Sequence, residues 1–315
     1  MKPQPTTIVD SALFTGLVIQ KFIHQIQVLA GDHTLMCALP PHLAAHVAAG
    51  DVVRCETAPT PDLPRLVTVL PRRSEYSRPA AASRPGAHAP QQVIAANVDW
   101  VMPVFAAASP TPKWNLLDRF LAAAEAQGLP ARICITKCDL TSSGSPAELE
   151  LHEILDLYRS LGYPVSLVSA QTGSGLGELC GHLSQGTTLL VGKSGVGKTT
   201  LLNALLPGAD QSTRAVNAVT GKGRHTTTAA HLYPLPGGGA VMDTPGMREF
   251  GLWDITPEDM AACFPEMRPH LGRCRFGLSC QHDEEPGCAV RQAVMQGAVH
   301  PRRYQSYLRL KAEAA

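Results

Sequence analysis

The run Gly192-Lys-Ser-Gly-Val-Gly-Lys198-Thr199 constrains this chain more than any other, because a glycine-rich turn of this spacing works only between a buried strand and a helix. A short apolar run, Thr188 to Val191, precedes it, and a helical run, Thr200 to Leu206, follows. In that setting the glycines let backbone N–H groups turn inward around phosphate oxygens, and Lys198 brings charge to the β and γ phosphates. The Thr199 hydroxyl suits magnesium, and the helix amino terminus adds partial positive charge. The candidate phosphate set is therefore Gly192, Lys193, Ser194, Gly195, Val196, Gly197, Lys198, Thr199 and Thr200. Average residue usage gives a chance match of about one in a hundred in a chain this long. The bland alternative is a glycine-rich turn with an exposed lysine.

Such a loop needs a parallel sheet, and its flanks provide one. Apolar runs at Val101 to Ala106, Ile133 to Thr136, Val165 to Ser169, Thr188 to Val191 and Ala240 to Met242 read as buried strands. Between them lie amphipathic stretches. One carries Leu116, Leu117, Phe120, Leu121 and Ala124 and ends at Gly128; another starts in the capping box Ser145-Pro-Ala-Glu148 and stops at Gly162. This alternation predicts a doubly wound α/β sheet with ligands at the carboxyl ends of its strands. Pro103 predicts an edge position or a bulge for its strand.

Two further segments read the rest of a nucleotide. Thr136-Lys137-Cys138-Asp139 ends a predicted strand, and an Asp there can accept from guanine N1–H and its exocyclic amine, which adenine lacks. Ser169-Ala170-Gln171, at the next strand end, offers backbone donors to the guanine oxygen. The motif usually begins with Asn, and Thr136 keeps a hydroxyl but loses the amide. Asp243, ending another strand, is placed to hold magnesium through water, with the Gly246 N–H near the γ-phosphate. Lys-x-Asp or Asp-x-x-Gly alone is a common surface pair or turn; the phosphate loop gives them weight. Their order is unusual. Residues 136 to 139 and 169 to 171 precede the phosphate loop, which predicts a circularly permuted GTPase domain.

Outside this core the chain changes twice. Short β-prone runs at Gly16 to Gln20, Gln25 to Leu29, Leu35 to Leu39 and Asp51 to Cys55 predict a small β-barrel or meander over residues 1–72. Residues 73–92, rich in Ala, Pro and Arg, read as a linker, the GTPase domain spans 93–254, and a mostly helical module spans 255–315. That module holds Cys274-x5-Cys280-x-His282-x5-Cys288, three thiolates and an imidazole, enough for one closed structural zinc site. Buried or oxidisable thiols are the alternative, Cys263 is a spare candidate ligand, and the remaining cysteines of the nine read as packing. With 27 basic and 26 acidic residues, the formal charge of +1 offers nucleic acid no overall field. Any RNA contact must come from local patches. Arg72, Arg73, Arg78 and Arg84 in the linker and Arg291, Arg302, Arg303, Tyr304, Arg309 and Lys311 in the tail are candidates, with solvated faces as the competing reading. No apolar run approaches the roughly 18 residues needed to cross a bilayer and no signal peptide is visible, so no membrane partner and a cytoplasmic location are expected.

A permuted GTPase core between a β-barrel and a Cys-His module resembles the ribosome small-subunit-dependent GTPases, the RsgA family. The resemblance covers nearly the whole chain. Its carriers are Asn97-Val98-Asp99, Thr136 to Asp139, Gly192 to Thr200, Gly223-Arg-His225-Thr226-Thr227-Thr228, Asp243 to Gly246, and Cys274 to Val290. It implies an N-terminal OB-fold, GTP hydrolysis stimulated by the small ribosomal subunit, and late maturation of that subunit with hydrolysis timing release. The implied partners are the subunit with its ribosomal RNA and GTP or GDP; the implied cofactors are one Zn2+ and Mg2+ with GTP, and a monomer is expected. Met247 stands where most GTPases carry the water-orienting Gln, and the resemblance gives that role to His225. It likewise makes Thr227 the switch threonine that closes on magnesium beside Thr199 and Asp243. Related potassium-using GTPases carry Asn where this chain has Gly195, so potassium gains no direct support. Two other readings stay open: a GTP-switched RNA-binding protein with incidental hydrolysis, and a P-loop kinase or ATPase, which Asp139 disfavours.

Overall fold

A computed structural model describes residues 12–58, 62–79, 91–206, 230–244 and 255–314. The first five strands are β1 (Leu13–Lys21), β2 (Gln25–Ala30), β3 (His33–Ala38), β4 (Val52–Glu56) and β5 (Arg65–Val69). They pair in the order β1-β2-β3-β5-β4, and β4 returns to β1, so the sheet closes on itself. Val18, Ile26, Val28, Cys37, Val53, Cys55 and Leu66 fill its interior. Closure requires one strand to serve two neighbours. The first half of β1 pairs with β4 and the second with β2, with a register shift between Val18 and Gln20.

The linker reading needs correction at its flanks. β6 (Glu75–Pro79) and β7 (Gln91–Ala96) form an antiparallel ribbon, and Arg72 and Arg73 are structural. Arg72 donates to buried Asp51 from Nε at 2.7 Å and Nη2 at 2.9 Å, and Arg73 pairs with Asp99. Asp99 also accepts from the Thr187 N–H at 2.6 Å, and the Asn97 amide donates to Gly50 O at 2.8 Å. Asn97-Val-Asp99 thus ties ribbon, barrel and central sheet together.

That sheet adds β8 (Trp100–Ala106), β9 (Ile133–Thr136), β10 (Val165–Leu167), β11 (Thr187–Val191), β12 (His231–Pro234) and β13 (Ala240–Asp243). Its order is β10-β9-β8-β11-β13-β12, parallel except for β12, and β12 meets β1 at the pair Gln20 and His231. Alternation along each strand makes two cores. Val101, Phe105, Ile133, Ile135, Leu189 and Val191 face α1 (Trp114–Ala126) and α2 (Pro146–Ser160). Met102, Val104, Cys134, Leu190 and Val241 face α3 (Leu176–Leu183) and α4 (Lys198–Leu205). The doubly wound prediction holds. Pro103, however, lies in a central strand: β8 bridges to Ala131 at Val101 and resumes pairing with β9 only at Val104, so the ladder is interrupted where Pro lacks an N–H. The Ser145 hydroxyl accepts from Glu148 N at 3.2 Å, and the Glu148 carboxylate accepts from Gly144 N at 2.6 Å, so the α2 cap reaches one residue further back than a standard box.

Among the described residues from 255 onward there are short 3-10 turns and two helices, Ala289–Met295 and Pro301–Ala314, with no strand. Met260, Phe264, Met267, Val290, Val299, Tyr307 and Leu310 form the module's core, and Ala122 of α1 packs into it. No helix among the described residues is long and apolar enough to cross a membrane.

Candidate nucleotide site and metal centre

The carboxyl ends of β11, β9 and β13 converge on one place. Between β11 and α4 the phosphate loop opens at Gly192, where a Cβ would lie 2.5 Å from Val104 O, and closes at Gly197 with φ +94°. Only glycine fits either position without strain. Val196 is buried, anchoring the loop, whereas Lys193, Ser194, Gly195, Thr199 and Thr200 are exposed around it. Lys198 Nζ donates to Gly192 O at 2.6 Å and Lys193 O at 2.9 Å, folding its charge over the loop. Burial pushes the Lys198 pKa down, and Asp243 opposes that. At Asp243 burial pushes the carboxyl up, against Lys198 and the Thr244 N–H. Asp243 Oδ1 is buried without a hydrogen-bond partner. An orphaned carboxylate oxygen beside a phosphate loop fits a hydrated cation.

The base-side residues lie against the same loop. Thr136 Oγ1 is within hydrogen-bond reach of Phe105 O, at 3.1 Å, and of Val196 O. The hydroxyl that replaces the usual amide therefore still links the base segment to the phosphate loop. Lys137, with φ +57°, extends over the loop and donates from Nζ to Gly195 O at 2.8 Å and to Ser109 O. Asp139 is exposed, and one of its oxygens accepts from the Ser169 hydroxyl, which itself accepts from Thr172 N at 3.2 Å. Cys138 N bonds Val168 O at 3.3 Å, which fixes the base segment to the strand end carrying Ser169 and Ala170. No motif points to the Ser109 carbonyl, because it belongs to a loop distant in the chain. His225, Thr227 and Gly246 lie outside the described residues, as do Met247 and Arg84.

The second centre is compact. Cys274, Cys280, His282 and Cys288 are all buried, with ligand atoms within 4.8 Å of one another. Cys274 Sγ is 3.9 Å from Cys288 Sγ and 3.4 Å from His282 Nδ1, and Cys288 Sγ is 3.5 Å from the same nitrogen. A tetrahedron with metal–sulfur bonds of about 2.3 Å and metal–nitrogen bonds of about 2.1 Å has edges of about 3.8 and about 3.6 Å. The cluster can therefore hold a metal ion through four protein ligands. Outer groups fix the donors: Ala289 N donates to Cys274 Sγ at 3.2 Å, and the Tyr304 hydroxyl to His282 O at 2.7 Å. Cys263 is buried elsewhere, bonded to Asp259 O. Cys180 is exposed, against the expectation that it packs, because it falls on the outer side of α3.

The basic tail divides sharply. Arg303 is 1% exposed and pairs with Asp118 of α1 at 2.6 Å and Glu266 at 2.6 Å, and Lys311 donates to Gln281 O at 2.7 Å. Arg303 therefore joins the module to α1 and is lost to RNA, whereas Arg73, though paired with Asp99, keeps 59% of its side chain exposed.

Strand order and chain order together define the class: a P-loop GTPase core in which the base-side strands come first, a circular permutation. The chain belongs to the RsgA GTPase family, whose model matches residues 69–253. It is 46% identical over 273 residues to the small ribosomal subunit biogenesis GTPase RsgA of Gemmatimonas aurantiaca, covering 86% of each chain. The protein of the same description from Pseudomonas aeruginosa is 43% identical over 299 residues, covering 95% of this chain and 85% of that one. Among solved structures, YjeQ from Thermotoga maritima superposes with a TM-score of 0.75 at 29% identity, over 96% of this chain and 99% of that one. YloQ, described as a circularly permuted GTPase, gives 0.71 at 28% identity over 98% of both.

Proposed function

We propose that this GTPase acts in small ribosomal subunit biogenesis, binding the subunit and its ribosomal RNA in the cytoplasm as a monomer and hydrolysing GTP to time its own release. The observation that carries the site is the meeting of Asp139, braced by the Ser169 hydroxyl, with the phosphate loop through Lys137. In this reading Asp139 accepts from guanine N1–H and the exocyclic amine, Ser169 and Ala170 flank the base, and Thr136, Lys137 and Cys138 hold that edge against Val196. Residues 192–200 cradle the phosphates. Magnesium, bound with the nucleotide, neutralises charge on the β and γ phosphates, and Thr199, Thr227 and Asp243 would hold it. His225 orients water and Gly246 senses the γ-phosphate. We assign zinc to the Cys3His cluster, since three thiolates and an imidazole in a closed tetrahedron suit that ion. We read the closed five-strand ring within residues 1–72 as an OB-type barrel, residues 93–254 as the GTPase domain and residues 255–315 as the zinc module.

The test is GTP turnover with and without isolated small ribosomal subunits. Slow intrinsic turnover that rises strongly with subunits is expected, and no stimulation at physiological salt would remove the partner. Asp139→Asn separates the base site from the rest: affinity for GTP should fall on the order of 100-fold while xanthosine triphosphate gains, since one of the two acceptor oxygens facing guanine's donors becomes an NH2 that suits xanthine's carbonyl instead. Unchanged GTP affinity would refute that assignment.

A further inference from the structure

Where the amino end of α1 meets the C-terminal helix Pro301–Ala314, the surface folds into a cleft of about 430 Å³ that no nucleotide or metal residue lines. Its walls carry Lys113, Arg119, Arg302 and Arg309 against a single carboxylate, Glu313, which pairs with Arg119. Trp114, Asn115 and Leu116 form one side, so the first turn of a 13-residue helix opens into the cleft. No side chain caps that turn, and it holds no acidic residue. Leu116 N and Leu117 N bond back to Lys113 O, and the N–H groups of Trp114 and Asn115 ahead of them have no acceptor within the helix.

Two buried donors at the cleft point to a ligand. Ser306 is 2% exposed, lines the cleft, and its hydroxyl has no hydrogen-bond partner. Arg302 Nε is likewise buried without one. A buried donor left unpaired is unfavourable, and here a guanidinium N–H and a hydroxyl are left so at one place. The neighbouring Arg303 shows the contrast. One position along the same helix, its guanidinium is bonded to two carboxylates. Burial also pushes the Arg119 pKa down, which a nearby anion would oppose.

We infer that this cleft is a phosphate-binding site built from the α1 amino terminus, Lys113, Arg119, Arg302, Ser306 and Arg309, and that it receives a backbone phosphate of RNA. Guanidinium groups and helix-terminal N–H groups together suit a tetrahedral oxyanion with several acceptors. The choice of an RNA backbone rests on the function proposed above; the anion chemistry rests on the cleft alone. Because the site joins α1 of the GTPase domain to the last helix of the metal module, a bound phosphate would cross-link the two.

The experiment has two arms on full-length, metal-loaded protein. In the first, amide resonances of Trp114 and Asn115 are followed as inorganic phosphate replaces chloride at constant ionic strength. Saturable shifts in the wild type, absent in Arg302→Gln/Arg309→Gln, are expected; no phosphate-dependent shift overturns the site. In the second, affinity for isolated small ribosomal subunits is measured against salt, with a non-hydrolysable GTP analogue bound. The double variant should bind roughly tenfold more weakly with a salt slope shallower by about 0.7, the value for one phosphate contact on single-stranded nucleic acid, while GTP affinity and intrinsic turnover stay unchanged. An unchanged slope, with phosphate still bound in the first arm, overturns RNA as the source. If wild-type protein does not bind subunits at all, the proposed function fails, and the phosphate arm still decides the cleft.

Discussion

The central sheet and the C-terminal module are held together by different physics. In the sheet, strands of three to seven residues bury apolar side chains on both faces, and the ladder places the candidate nucleotide residues at strand ends. The site there is a by-product of backbone order. In the module, no strand organises the described residues, and its interior carries a Cys3His cluster and a buried guanidinium between two carboxylates. One region orders itself by burying area. The other depends on specific polar partners, whose removal is far more costly than the loss of a few contacts.

That contrast predicts its own largest effect. Stripping the metal, by a chelator or by Cys280→Ser, should unfold the module and leave the sheet intact. Zinc, the ion proposed for this cluster, carries apparent binding free energies of about 10–16 kcal/mol in zinc-finger peptides, much of it the folding energy of the surrounding chain. Hydrogen exchange should show protection lost across residues 255–314 and kept in β8, β9 and β11, with GTP binding retained. Equal loss in both regions would show that the sheet leans on the module after all.

The joint between the regions comes next. Arg303 contacts Asp118, which also accepts from the Tyr158 hydroxyl at 2.8 Å, and its guanidinium lies 4.5 Å from the Phe264 ring centre. Arg303→Leu leaves two buried carboxylates without their counter-charge, a change worth about 3–5 kcal/mol. Thermal unfolding should register that loss. Adding Asp118→Asn and Glu266→Gln should recover part of it, because the variant's cost lies in the orphaned charges. A loss that neither addition recovers would place the cost in packing.

The same division explains what the sequence disclosed. The strands β8, β9, β10, β11 and β13 stand out as apolar runs because their burial on both faces is written locally. β12, with His231 and Pro234 in four residues, and β5, with exposed Arg65 and Val67, lack that signature and are fixed by neighbours. The ribbon of β6 and β7 hides in an Ala-, Pro- and Arg-rich stretch because its order comes from afar: Ser77 N bonds the Gln127 side chain, and Ala96 N bonds Ala49 O. Side-chain type alone could not separate Arg302 from Arg303 either. They are neighbours with the same chemistry, and only the carboxylates brought from residues 118 and 266 tell them apart. Motif residues at strand ends were legible for the opposite reason, since a phosphate loop dictates its own surroundings.

The sheet also has a polar joint where β12 meets β1, and acid should find it. His231, at the pairing of β12 with β1, is 8% exposed; its Nδ1 lies 2.9 Å from Gln20 Oε1, and burial pushes its pKa down to about 4. In the unfolded chain it would titrate near 6.5, so between those values the unfolded state binds more protons. Stability from this group is therefore complete above about pH 6.5 and is lost as pH falls toward 4, by about 3 kcal/mol at most. His231→Gln keeps a hydrogen-bonding partner for Gln20 and removes the titration. Unfolding free energies measured from pH 7 to pH 4 should show the wild type losing more than the variant, whatever acid does to the thiolate site in both. Parallel curves would mean that His231 is accessible to protons in the folded chain and that the joint between barrel and sheet opens more readily than its packing indicates.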